Sequence, residues 1–195
     1  LHLRGEIEEA GLRSQLHHPN PHLRRWAVRL LGDRNQVNGV TLTELTALAR
    51  RESDVEVRSQ LASSARRLPA GQAITIVRAL LTHEQDATDL HLPLLLWWAL
   101  EAKADSGREE LLALVRDPAS WRSPILRDTL AERIGRRYTA DQGPHRTFTL
   151  RQGVYSDWIV ERAPDAFQRN LEFCGRLLAA APDRASALRL VQGMS

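Results

Sequence analysis

Four stretches of this chain open alike and recur at one fixed distance. NPHLRRWAVRLL begins at Asn20, DVEVRSQLASSA at Asp54, DLHLPLLLWWAL at Asp89 and SPILRDTLAERI at Ser123, so the starts lie 34, 35 and 34 residues apart. Asn, Asp and Ser carry a short side-chain oxygen that accepts the free N–H groups of a helix's first turn. Pro21 and Pro124 follow two of them at the first helical position, where a missing N–H removes no bond. Three residues in come Leu23, Val57, Leu92 and Leu126. Four further on come Ala27, Leu61, Leu96 and Leu130, and four beyond those Leu31, Ala65, Leu100 and Ile134. Spacing of i, i+4 and i+8 puts them on one apolar stripe, which Val28, Ala62, Trp97 and Ala131 widen. A helix of this kind once per fixed period is the mark of stacked helical repeats, in which each unit buries its apolar face only against its neighbours.

A companion helix fills each gap. TLTELTALARR has Thr41 and Glu44 at capping-box spacing, and SGREELLALV has Ser106 and Glu109 in the same relation. Between them AITIVRALL presents Ile74, Val77 and Leu81. The predicted fold is therefore all-α, an α-solenoid of about four to five antiparallel helical pairs wound as a right-handed superhelix. Residues 1–138 hold the repeats, with second helices starting near 20, 54, 89 and 123. Residues 139–158 form an irregular linker, in which RTFTLR (146–151) alone reads as a strand. Residues 159–195 hold a last helical pair. Its first helix, about Pro164 to Ala181, has Phe167, Leu171, Cys174 and Leu178 on one face. Its second runs from about Asp183 to Gln192.

The third recurring helix differs from the others. LPLLLWWALE is apolar all round, with nine uncharged residues from Leu92 to Leu100 between His91 and Glu101. A membrane span needs about 20 apolar residues, so this is a buried interior rung and no membrane insertion is expected. Trp97 lies on the widened stripe, whereas Trp98 points about 100° away. Two readings of this pair are open: core packing, or a groove for a ligand or partner.

Arg24, Arg58 and Arg127 follow the first stripe residue in three of the repeats, and Pro93 stands there in the other. Equivalent positions in stacked repeats form a ladder. Each Arg is expected to reach a carboxylate or carbonyl of a neighbouring repeat, Asp54 or Asp89 among them; the second reading is a surface for an anionic partner. His17, His18 and His22 are close enough to suggest a metal, but no cysteine or carboxylate joins them at useful spacing, so they read as turn residues. His91 reads as half-buried in a first helical turn, and His83, Glu84 and Asp86 as a polar loop. Arg133, Arg136 and Arg137 beside Tyr138 and Trp121 outline a nucleic-acid patch. Against it stand Asp128 and Glu132 on the same helix, and a net charge of only +3 from 27 basic and 24 acidic residues. The single cysteine, Cys174, excludes an intrachain disulfide and reads as core. No nucleophile triad, phosphate loop or carboxylate pair stands out, so no catalytic, cofactor-binding or metal residue is assigned.

NPHLRRWAVRLLGD and SDVEVRSQLASSA resemble the second helix of HEAT-type repeats, a likeness that covers about residues 5–138. WAVRLLGD, ESDVEVRSQLASSARRLP, DLHLPLLLWWALE and LLAAAPDRASALRLVQGM together resemble the HEAT-repeat region of planctomycete-type (PVC) membrane-bound dehydrogenases. Members of that family are exported, with a propeller domain, helical repeats and a c-type cytochrome domain. The resemblance implies a periplasmic or exported middle piece of a larger oxidoreductase; the chain's own start at Leu1, without a signal-peptide pattern, says nothing about compartment. No CxxCH motif and no propeller sequence occurs here, so no catalytic or haem residue carries over. The expected function is a non-catalytic scaffold or interaction module whose partners are flanking domains or another protein. The alternative is a nucleic-acid-binding module resembling the helical-repeat DNA glycosylases.

Overall fold

The structure is a computed structural model that describes residues 8–140, 145–147, 159–161 and 164–194. Two of the four recurring helices begin on the expected cap, and a third begins two residues beyond it, with His91 in the cap position. Asn20 accepts the His22 N–H at 2.9 Å at the start of α2 (Pro21–Asp33). Asp54 accepts those of Glu56 and Val57 at 2.9 and 3.1 Å at the start of α4 (Val55–Ala65). Asp89 accepts those of His91 and Leu92, both at 2.8 Å, ahead of α6 (Leu92–Glu101). Ser123 departs from the pattern. Among the described residues its buried Oγ has no hydrogen-bond partner, and its main-chain carbonyl accepts from Arg127 N–H at 3.2 Å. Pro124 has already removed one N–H from that turn. The helix then widens into a π-helical segment, Leu126–Leu130, before α8 (Ala131–Thr139).

The companion helices are α1 (Glu9–Ser14), α3 (Gly39–Arg51), α5 (Ala70–Leu80) and α7 (Arg108–Arg116). Neither expected capping box forms. Asn38, a turn upstream of the expected start, accepts the Thr41 N–H at 2.9 Å, so α3 is already under way at Thr41. α7 starts after Gly107 with no side-chain cap, because that glycine lies against Ala70 and the Lys103 carbonyl, where a Cβ would collide. The last pair is α9 (Pro164–Ala180) and α10 (Arg184–Met194). Two short strands, His145–Thr147 and Ile159–Glu161, pair antiparallel with His145 opposite Glu161. The remainder of the strand-like stretch 146–151, and most of the expected linker, lie outside the described residues.

Helices pack with alternate neighbours. In one row α2 packs on α4, α4 on α6, α6 on α8 and α8 on α10; in the other α1 packs on α3, α3 on α5, α5 on α7 and α7 on α9. One core runs between the rows, and every residue of the recurring stripe is in it except Leu23, which is 43% exposed on the flank of the first helix in its row. Between α8 and α10 the backbones nearly touch. A Cβ on Gly135 would strike the Leu190 carbonyl, and one on Gly193 the Glu132 carbonyl, so these helices meet where side chains are absent.

α9 is turned relative to expectation. Phe167 and Leu171 face outward at 62% and 53% exposure, while Asn170, Phe173, Cys174 and Leu177 are buried. The Phe173 ring packs on Tyr138, centroids 4.5 Å apart, and this contact sets which face of α9 turns inward. Among the described residues, no helix is long and apolar enough to cross a membrane.

Candidate functional site

The arginine positions are built from the helix starts upward. Arg24, one turn into α2, donates Nε and Nη2 to the two carboxylate oxygens of Glu52 at 2.7 and 2.6 Å. Arg58, one turn into α4, does the same to Asp86 at 2.7 and 2.5 Å. Both pairs are bidentate, the arrangement in which a planar guanidinium matches a carboxylate best. The acceptors are thus Glu52 and Asp86, not Asp54 or Asp89, whose oxygens are taken up by helix N–H groups. Burial pushes the Glu52 carboxyl up, but bonds from the Arg24 side chain and the Asp54 N–H, with the charge of Arg24, more than offset it and hold it below its ordinary value. The Arg24–Glu52 bond raises the guanidinium correspondingly. Arg58 and Asp86 are both buried, where pairing is obligatory because a lone charge there is costly. Both pairs tie a second-row helix to the loop of the following pair. Among the described residues Arg127 meets no carboxylate in this way.

The two tryptophans of α6 part company. Trp97 is buried at 8% exposure, while Trp98 is 46% exposed. α4, α5 and α8 cover the rest of α6, leaving Trp98 with the half-buried Leu94 and Leu95 on the outward side. Trp26 of α2 is likewise outward, with Arg29 stacked 5.5 Å from its ring. On α4, which packs between α2 and α6 in this row, Ser59, Gln60 and Ser63 are half-buried.

The other candidates resolve into local structure. His17 contacts Glu44 and Arg51 at 2.5 and 3.1 Å. His18 accepts the Asn20 N–H, and His22 is exposed. His83 bonds the Ala49 carbonyl at 2.8 Å, and His91, expected to be half-buried, is exposed. No group of three metal-ligating side chains occurs among the described residues. Trp121 and Tyr138 are buried, with Trp121 Nε1 on the Val115 carbonyl at 2.6 Å and the Tyr138 hydroxyl on the Ala104 carbonyl at 2.5 Å. Neither ring can stack a base, and Arg136 and Arg137 are engaged by Glu132 and Asp105.

One further site was not legible from residue spacing. Between α7 and α9 a cavity of about 510 Å³ is lined by Asp105, Arg108, Arg169, Glu172, Phe173 and Arg176. Arg108 lies over both Tyr138 and Phe173, 5.2 and 5.1 Å from the ring centroids. Its nitrogens bond the Arg169 carbonyl at 3.1 Å and Asn170 Oδ1 at 2.5 Å, and Arg176 holds Glu109 at 2.7 Å. Arg108 thereby acts as a bolt between two helices, and its donors face protein rather than the cavity. Burial raises the neighbouring Cys174 thiol above its ordinary value, against the lowering charge of Arg108. Comparison with protein-family models, curated proteins and solved structures found no match for the chain.

Proposed function

We propose that the chain is a HEAT-like α-solenoid, right-handed in its winding, that works as a non-catalytic scaffold or interaction module within a larger exported, dehydrogenase-like protein. The observation that carries this reading is the double row of alternate helices joined by bidentate arginine–carboxylate pairs from one helical pair to the next. Pairing of this kind fixes the angle between successive units, and a rigid curved row is what a scaffold needs. The resemblance of WAVRLLGD and its companion stretches to the repeat region of PVC-type dehydrogenases supplies the larger context. The nucleic-acid reading has no comparable support, since its aromatic residues are inside and two of its three arginines, Arg136 and Arg137, are engaged.

Small-angle X-ray scattering tests the architecture. A compact chain of this length has a radius of gyration of about 16 Å; a solenoid should exceed it clearly and give a skewed distance distribution. A value at the compact limit rejects the reading. Duplex DNA at low salt should cause no gel shift, and a shift that weakens steeply as salt rises would instead favour a nucleic-acid module.

A further inference from the structure

The recurring arginine position exists in three states along the chain. Arg24 and Arg58 represent the first state. Each anchors Nη1 on main-chain carbonyls just upstream: His18 and Pro19 for Arg24, both at 2.9 Å, and Glu52 for Arg58, at 3.0 Å. Each then closes its Nε–Nη2 edge on a carboxylate 28 residues downstream, in the loop inside the next helical pair. The second state is α6, where both partners change together. Pro93 replaces the arginine, and the loop position 28 residues on is the buried Trp121. No guanidinium is left seeking an acid there, and no acid is left seeking a base.

Arg127 is the third state. Its Nη1 is anchored in the same way, on the Trp121 and Arg122 carbonyls at 3.3 and 3.0 Å, six and five residues upstream. The guanidinium is therefore held in the pose of the other two. Among the described residues the loop between α9 and α10 offers it no carboxylate. Glu52 stands two residues before the cap Asp54, and the residue two before the corresponding cap Asp183 is Ala181. Asp183 itself accepts the Ser186 N–H at 2.8 Å. Among the described residues the carboxylate nearest Arg127 is Asp128, at 4.0 Å, and it is engaged by Arg189 at 3.2 Å. The Arg127 side chain is 44% exposed, against 15% for Arg24 and 5% for Arg58. It also sits in the π-helical segment, a rare irregularity that concentrates at functional positions.

We propose that the Nε–Nη2 edge of Arg127 is a docking point for an aspartate or glutamate side chain of a partner protein, which completes the rung that the described residues leave open. The ligand class follows from the filled rungs, where a loop carboxylate is the occupant. A pre-anchored fork loses less side-chain freedom on binding than a free surface arginine does. The proposal rests on the scaffold reading, and its readout is independent of the scattering result: a compact chain whose Arg127 still takes carboxylate would lose the architecture and keep the site.

The test is nuclear magnetic resonance of the arginine Nε–Hε groups in the intact chain, with acetate as the probe and sodium chloride at matched ionic strength as the control. The Arg127 signal is identified by its loss in Arg127→Lys. Acetate is expected to move that signal downfield and to saturate, while the Arg24 and Arg58 signals stay still because their acids are in place. Ala181→Glu, which puts a carboxylate where Glu52 stands in the first rung, is expected to abolish the acetate response and to raise the melting temperature, but not in the Arg127→Lys background. Two results overturn the proposal. One is an acetate shift no larger than that of chloride. The other is an Arg127 signal already downfield without acetate, which would mean that Asp141, Asp157 or Glu161 of this chain fills the rung.

Discussion

At the residue scale, the buried pair Arg58–Asp86 has the largest consequence. Truncating Arg58→Ala strands the Asp86 carboxylate in the interior and should cost about 3–5 kcal/mol in urea unfolding. Replacing both partners, Arg58→Met with Asp86→Leu, should recover most of that loss, because no charge is left buried. A double variant as unstable as the single one would mean that the pair does more than neutralise itself. The Arg24–Glu52 pair governs the acid limb. The Glu52 carboxyl lies below its ordinary value of 4.5 when folded, so the unfolded chain takes up its proton first. The stability it contributes is complete above that value and is lost as pH falls through the lower, folded one. Asp89, held down by the N–H groups of Leu92 and His91, acts in the same direction. Melting temperature should therefore drop below about pH 4.5, and Glu52→Gln should start lower at neutral pH and fall less steeply.

At the scale of elements, contacts between backbones and between rings decide what helix periodicity leaves open. The period, the caps at Asn20 and Asp54, and the stripe on α4, α6 and α8 were legible because each depends on neighbours within a few residues. The rotation of α9 was not, because it depends on Phe173 meeting Tyr138 across 35 positions of chain. The arginine acceptors lay in between. A constant separation of 28 residues links Arg24 to Glu52 and Arg58 to Asp86, and the Pro93–Trp121 exchange keeps that register, but the caps two or three residues further on looked equally good. The close approach of α8 and α10 gives a paired prediction. Gly193→Ala should force the helices apart and cost at least about 1–3 kcal/mol. Gly175→Ala has nothing within 4 Å on the exposed side of α9 and should stabilise by up to about 1 kcal/mol. Equal effects at the two glycines, read by thermal melting, would mean that the two helices are not in backbone contact.

At the scale of the whole molecule, each helical pair leans mainly on the pairs before and after it, so on the solenoid reading stability should be close to a sum over neighbours. Ending the chain at Ala140 removes α9 and α10 and uncovers Gly135 and Tyr138, but leaves the contacts among α1 to α7 untouched. The shortened chain should keep its helical circular dichroism and melt at a lower temperature. Collapse of the helical signal would show that the molecule folds as one indivisible unit. The placement of the indole side chains gives each region its own lamp. Trp26 and Trp98 stand in water while Trp97 and Trp121 are shielded, so iodide should dim the first two and leave the others bright until their own turns loosen. Single-tryptophan versions of the chain would then reveal from which end an array of this kind begins to come undone.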